Sequence, residues 1–118
     1  MTLDTWSAGV YFGSSTGGLY ETEEFYSALM GDGGDGTNRT LLASHQISAP
    51  AECVARQLGV TGPVETISSA CASAGLAIEQ ALRAVRSGEV DIALAGGADE
   101  LAVTTYAGFN ALRAVDEL

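Results

Sequence analysis

No lysine occurs in these 118 residues, and five arginines stand against 15 acidic side chains, for a formal net charge of −10. A nucleic-acid-binding surface needs a basic face, so that class of partner is excluded. The same charge opposes docking on an anionic membrane surface. No stretch approaches the ~20 consecutive apolar residues of a membrane span. Met1 leads into Thr2-Leu3-Asp4-Thr5-Trp6, which is not the basic-then-apolar start of a secretory signal. Without such a signal the terminal Val115-Asp116-Glu117-Leu118 is idle as a retention tail. Cysteine occurs only twice, at Cys53 and Cys71, too few for a disulfide framework and in keeping with a reduced, cytoplasmic setting. With one histidine, His45, and no zinc spacing, no metal site is expected.

What is present favours a packed α/β domain. The chain is 47% hydrophobic, enough to build a core, and its 15 glycines point to tight turns and close backbone contacts. Ala8 to Phe12 reads as a buried strand ended by Gly13, followed by the turn-rich Gly13-Ser14-Ser15-Thr16-Gly17-Gly18. A helix is expected over Tyr20 to Met30, with Leu19, Phe25, Tyr26 and Leu29 on its apolar side. The loop Gly31 to Gly36 resembles a calcium loop in composition but lacks the liganding glutamate, and reads as plain surface. Pro50 suits the first turn of a second helix, which Gly59 ends. After the turn Gly62-Pro63 come a strand at 64–68, a helix at 72–87 and a buried strand at 90–95. In the helix Ala74, Ala77, Ile78, Ala81, Leu82 and Val85 follow helical spacing, Glu79 precedes Arg83 by four, and Gly88 is the stop. A last helix begins at Thr104 or Thr105 and runs through Ala114. Strand 64–68, helix 72–87 and strand 90–95 form one βαβ unit, which implies parallel strands and a right-handed crossover.

Cys71 falls where a strand ends and an alanine-rich helix begins. Backbone N–H groups of a first helical turn lack intrahelical partners, and the helix dipole favours an anionic sulfur there. The same N–H groups can hold the oxyanion that develops when a thioester is attacked. Ala70, Ala72, Ser73, Ala74 and Gly75 are small and leave a substrate room to approach. On position alone the alternative is a small core residue. Cys53, between Glu52 and Val54 in mid-helix, has no such setting and reads as core. Nothing in the sequence brings His45 to Cys71 as a base.

Ser69-Ala70-Cys71-Ala72-Ser73, the alanine-rich helix, Ser87-Gly88-Glu89-Val90-Asp91 and Leu94-Ala95-Gly96-Gly97-Ala98-Asp99 resemble the β-ketoacyl-acyl-carrier-protein synthases of the thiolase superfamily. Gly13 to Leu19, Gly59-Val60-Thr61-Gly62-Pro63 and Gly108 to Ala114 match the same family in the same order. The resemblance implies a thiolase-like layered α/β fold and decarboxylative Claisen condensation in fatty-acid or polyketide synthesis. Cys71 would take an acyl group from the phosphopantetheine arm of an acyl carrier protein, and its N–H would serve as one oxyanion donor. A malonyl-carrier would then lose carbon dioxide and attack that thioester. By the same resemblance Phe109 would line the acyl pocket, Arg113 would lie near the carrier-docking surface, and strand 64–68 would pair with its copy in a homodimer. No cofactor is implied.

The match has departures. Ala74 stands where fatty-acid enzymes commonly have glycine and polyketide enzymes often serine. Asp99 stands where many relatives carry glutamate, and Glu100 comes one place late. The family's two catalytic histidines and its lysine have no counterparts here, so residues 1–118 read as an interior segment of a ketosynthase N-terminal domain. A thiolase acting on coenzyme A esters fits the glycine stretch and Ser69-Ala70-Cys71 less well. A non-catalytic partner of the chain-length-factor type usually lacks the cysteine. A flavin- or nucleotide-binding domain would need Gly-x-Gly-x-x-Gly, which Gly13 to Gly18 does not supply.

Overall fold

The computed structural model describes residues 6–31 and 38–116. The glycine-rich loop and the two chain termini read from the sequence lie largely outside the described residues. Among the described residues eight elements follow one another: β1 (Ala8–Gly13), α1 (Leu19–Gly31), a 3-10 helix (Arg39–Ser44), α2 (Ala49–Leu58), β2 (Val64–Ile67), α3 (Ser73–Ser87), β3 (Ile92–Gly97) and α4 (Val103–Ala111).

The sheet is parallel, in the order β2-β1-β3. β2, α3 and β3 follow the expected strand–helix–strand course, but β1 lies between the two strands. It pairs Val10 with Val64 on one side and with Leu94 on the other. Because alternate side chains of a strand face opposite ways, β1 serves two cores. Tyr11 packs beneath α3 with Ala81, Ala84 and Val90. Val10 packs on the other face with Ala51 and Ala55 of α2, where Phe12, Val54 and Val60 join it. The result is a helix–sheet–helix sandwich with the first strand at its centre.

The two helix stops expected from the sequence hold: Gly59 and Gly88 close α2 and α3 in the left-handed conformation, at φ 67° and 74°. Glu79 and Arg83 make the expected ion pair at 2.6 Å. Four expectations need correction. β3 begins two residues late, because the Asp91 N–H bonds to Ser7 while the Asp91 carboxylate accepts from Ser7 N at 2.9 Å; the strand then runs through Gly96 and Gly97. Nor is it buried, since Ile92 and Leu94 are about two-fifths exposed. α1 buries Thr22 and Phe25, leaving Tyr26 and Leu29 outside, because its main packing among the described residues is against the 3-10 segment, where Gly18 N donates to Ser44 O at 2.8 Å. α4 stops at Ala111: Arg113 turns left-handed (φ 55°) and Ala114 N closes back on Phe109 O at 2.9 Å.

Much apolar surface is left uncovered. Leu76, Ile78, Leu82 and Val85 of α3 and Val103, Tyr106 and Phe109 of α4 are exposed. The radius of gyration, 17.6 Å, exceeds the ~13–14 Å of a compact domain of this length.

Candidate active site

The C-terminal ends of β1 and β3 run beneath the first turn of α3, and this contact positions Cys71. No side chain fits between them. A Cβ on Gly13 would fall 2.4 Å from the carbonyl carbon of Ser73, and one on Gly97 would fall 2.9 Å from the Ala74 Cβ. Gly97 thus makes room for the methyl of Ala74.

Between β2 and α3 the chain turns sharply. Ala70 is left-handed at φ 47°, a conformation seldom adopted by a residue with a side chain. Ala72 N donates to Ser69 O at 3.0 Å and Ser73 N to Ala70 O at 3.1 Å, so the turn closes directly into the helix. The buried Ser73 hydroxyl accepts from Ser69 N at 2.8 Å and donates to Ala70 O at 2.7 Å. Cys71 at the head of this turn is free and exposed, and it lines a cleft of about 210 Å³ with Gly13, Ser73, Gly97 and Asp99. Among the described residues Cys71 is thus not part of either hydrophobic core.

Asp99 is the residue that sequence reasoning noted only as a departure. Its Oδ1 accepts from Ser15 N at 2.6 Å, Thr16 N at 2.9 Å, Ser14 Oγ at 3.0 Å and Thr16 Oγ1 at 3.1 Å. Desolvation acts to raise its pKa, but these donors outweigh it and hold the carboxyl below its ordinary value. The carboxylate therefore occupies the backbone N–H groups that a phosphate-binding loop would turn to its ligand. The next residue, Glu100, accepts from Tyr20 N at 3.0 Å and so caps α1. Burial, and then the neighbouring Glu21, push the Glu100 pKa up despite that N–H. In return Glu23 of α1 accepts from Val103 N at 2.8 Å and Thr104 N at 2.6 Å, capping α4. The available signal for Asp99 and Glu100 was two consecutive acids behind a glycine pair, with no cation nearby in sequence.

The other expected residues are not gathered at Cys71. Phe109 is on α4, half exposed, and does not line the cleft. Arg113 lies exposed in the left-handed turn beyond α4. His45 Nδ1 is 2.9 Å from Thr22 Oγ1, whose single proton goes to Gly18 O, so the ring donates to the hydroxyl and is committed to α1. Cys53 corrects its core reading. α2 buries Ala51 and Ala55, leaving Cys53 on the outward side, where it lines a second cavity of about 280 Å³. Ala98 and Asp99 wall both cavities. Among the described residues no group of three or more His, Cys, Asp or Glu side chains is placed to hold a metal ion. No described helix is long and apolar enough to cross a membrane.

The model of the β-ketoacyl synthase N-terminal domain matches residues 1–117. The chain belongs to the β-ketoacyl synthase family. Nodulation protein E of Rhizobium meliloti (strain 1021) is 40% identical over 91 residues, covering 77% of this chain and 23% of that protein. The pikromycin polyketide synthase component PikAII of Streptomyces venezuelae is 34% identical over 106 residues, covering 89% of this chain and 3% of that one. Among solved structures, the ketosynthase ApeO from Xenorhabdus doucetiae, in complex with its chain length factor ApeC, superposes with a TM-score of 0.78 at 32% identity, over 91% of this chain and 27% of that one. The chain thus spans at most about a quarter of these relatives, and its fold is the thiolase-like α/β fold expected of a ketosynthase.

Proposed function

We propose that this chain carries the nucleophile of a β-ketoacyl synthase and is an interior segment of a longer one. The observation that carries the reading is Cys71: a free, exposed thiol in a cleft at the head of α3, in a domain of this family. Its sulfur attacks the carbonyl of an acyl-carrier thioester, and the phosphopantetheine thiol leaves with the proton. A malonyl-carrier then releases carbon dioxide, and the resulting carbanion attacks the acyl-Cys71 carbonyl. A carbon–carbon bond forms and the cysteine sulfur is freed. The N–H of Cys71, in the turn that leads into α3, holds the developing oxyanion.

The remaining parts of the proposal concern partners and place. Acyl carrier protein delivers both substrates, with Arg113 near its docking surface and Phe109 lining the acyl pocket. The exposed position of both side chains is compatible with surfaces that other segments complete. The protein forms a homodimer through β2, which is an edge strand among the described residues. Two free cysteines fit the cytoplasm.

Treating the protein with an acyl-carrier thioester and mapping the adduct by mass spectrometry tests the reading. The acyl group is expected on Cys71, and no transfer is expected from a Cys71→Ala variant. An adduct on Cys53 with Cys71 unmodified overturns the assignment. The 118 residues alone are expected to form no condensation product, because they contain no counterpart of the family's catalytic histidines; product from them refutes the segment reading.

A further inference from the structure

Asp99 and Cys71 are linked through Ser15. With Asp99 Oδ1 gripping the N–H groups of Ser15 and Thr16, the Ser15 hydroxyl reaches the carbonyl of Ala70 at 3.1 Å. That oxygen also accepts from Ser73 Oγ at 2.7 Å. The Ala70 carbonyl and the Cys71 N–H belong to one peptide unit, which is planar and trans, so they point in opposite directions. Two hydroxyl donors that fix the oxygen therefore also aim the N–H. The aim matters because Ala70 is left-handed, and a residue with a side chain does not keep that conformation without outside support. Ser73 acts from within the turn, whereas Ser15 comes from 55 residues upstream and is held there by Asp99.

We propose that Asp99 and Ser15 are positioning residues that set the plane of the Ala70–Cys71 peptide and so aim the Cys71 N–H at the oxygen of an incoming thioester. This rests on the acyl-transfer reading above. Asp99 touches no reacting atom in this scheme; it acts through the β1–α1 loop. A carboxylate suits the task better than a neutral group, since one oxygen serves four donors and charge strengthens each bond.

Two reactions of the same sulfur separate aim from mere integrity. Acyl transfer builds negative charge on the thioester oxygen, whereas alkylation by iodoacetamide displaces iodide at carbon and needs no oxyanion donor. Ser15→Ala, Asp99→Ala and Asp99→Asn are made in the full-length ketosynthase, and both reactions are followed at the Cys71 peptide by quenched mass spectrometry. The acyl donor is a hexanoyl N-acetylcysteamine thioester. Ser15→Ala and Asp99→Ala are expected to slow acylation by ~10–100-fold, somewhat less than the ~10²–10³ lost when an oxyanion donor is removed outright. Alkylation of Cys71 keeps its unsubstituted rate. Asp99→Asn, which retains an oxygen for the loop, falls between Asp99→Ala and the unsubstituted protein. Should Asp99→Ala not fold, Ser15→Ala decides, because it removes one hydroxyl and no charge. Unchanged acylation in Ser15→Ala, or an equal fall in both reactions, overturns the proposal. If the unsubstituted protein is alkylated at Cys71 yet accepts no acyl group, the acyl-transfer reading fails, and this proposal with it.

Discussion

Gly13→Ala places one methyl group where β1 passes under α3, and its consequences can be worked from distances. The new carbon would lie 2.4 Å from Ser73 C, 2.5 Å from Ala74 N and 2.7 Å from Ser73 O. All three are backbone atoms in the first turn of a helix, so no side chain can swing aside. Ordinary Cβ contacts begin at 3.4 Å, which means that α3 must retreat by about 1 Å. Overpacking of this kind costs ~1–3 kcal/mol, and a rigid neighbour puts the loss near the upper figure. With an m-value of ~2 kcal/mol per molar urea, the unfolding midpoint should fall by ~1 M or more. The retreat begins two residues from Cys71, and a ~1 Å misplacement near a reacting group costs ~10²-fold in rate. Urea unfolding and Cys71 acylation, measured on one preparation, are both expected to report the change. Gly75→Ala provides the contrast: it lies in α3 with nothing within 4 Å of the added methyl, and should gain up to ~1 kcal/mol. A Gly13→Ala protein with the original midpoint and acylation rate would refute the packing argument.

Four further outcomes follow from buried or uncovered groups. The Tyr11 hydroxyl is buried without a partner among the described residues, so Tyr11→Phe should be neutral or stabilising by ~1 kcal/mol; a clear loss in urea unfolding would mean that the hydroxyl is satisfied. Glu100, its pKa raised first by burial and then by Glu21, carries stability that is full below the ordinary carboxylate pKa of ~4.3 and is lost as pH rises through the raised value. Glu21→Gln should therefore raise the urea midpoint at neutral pH more than at ~pH 4, and an equal rise at both sinks the assignment. Asp99 has the opposite sign: its contribution is present above ~3.9 and is lost as pH falls through its lowered value, so Asp99→Asn should flatten the acid limb of the stability curve. Lastly, the 118 residues alone should self-associate through the bare faces of α3 and α4, and Ile78→Gln with Leu82→Gln should lessen this in sedimentation. A monodisperse monomer would count against it.

Local signals carried the elements further than their arrangement. Pro50, Gly59 and Gly88 mark helix ends through backbone geometry that needs no tertiary partner, and all three are where the sequence suggests. The Cys71 junction is legible for the same reason. The central place of β1 is not, because a strand's neighbours are chosen by pairing across more than fifty residues. Cys53 was read as core because its mid-helix place offers no nucleophile's setting; the actual buried stripe is Ala51 and Ala55, four apart, and Cys53 lies between them on the turn's far side. Asp99 escaped because its role depends on a loop 83 to 85 positions earlier in the chain.

The exchange of caps between Glu23 and Glu100 has a consequence during synthesis. α1 draws a cap from Glu100, just ahead of α4, and α4 draws its cap from Glu23 of α1, each about 80 residues away in sequence. At ~5–20 residues per second a ribosome needs ~4–16 s to deliver the second partner after the first. For that interval α1 has its helical residues but not its carboxylate, and β1 has emerged with neither neighbouring strand beside it. Of the three described strands the central one is made first, ahead of β2 and then β3. An open strand edge invites pairing with any extended chain nearby. The pairings of β1 and both caps are therefore complete only once residues through Thr104 have been made.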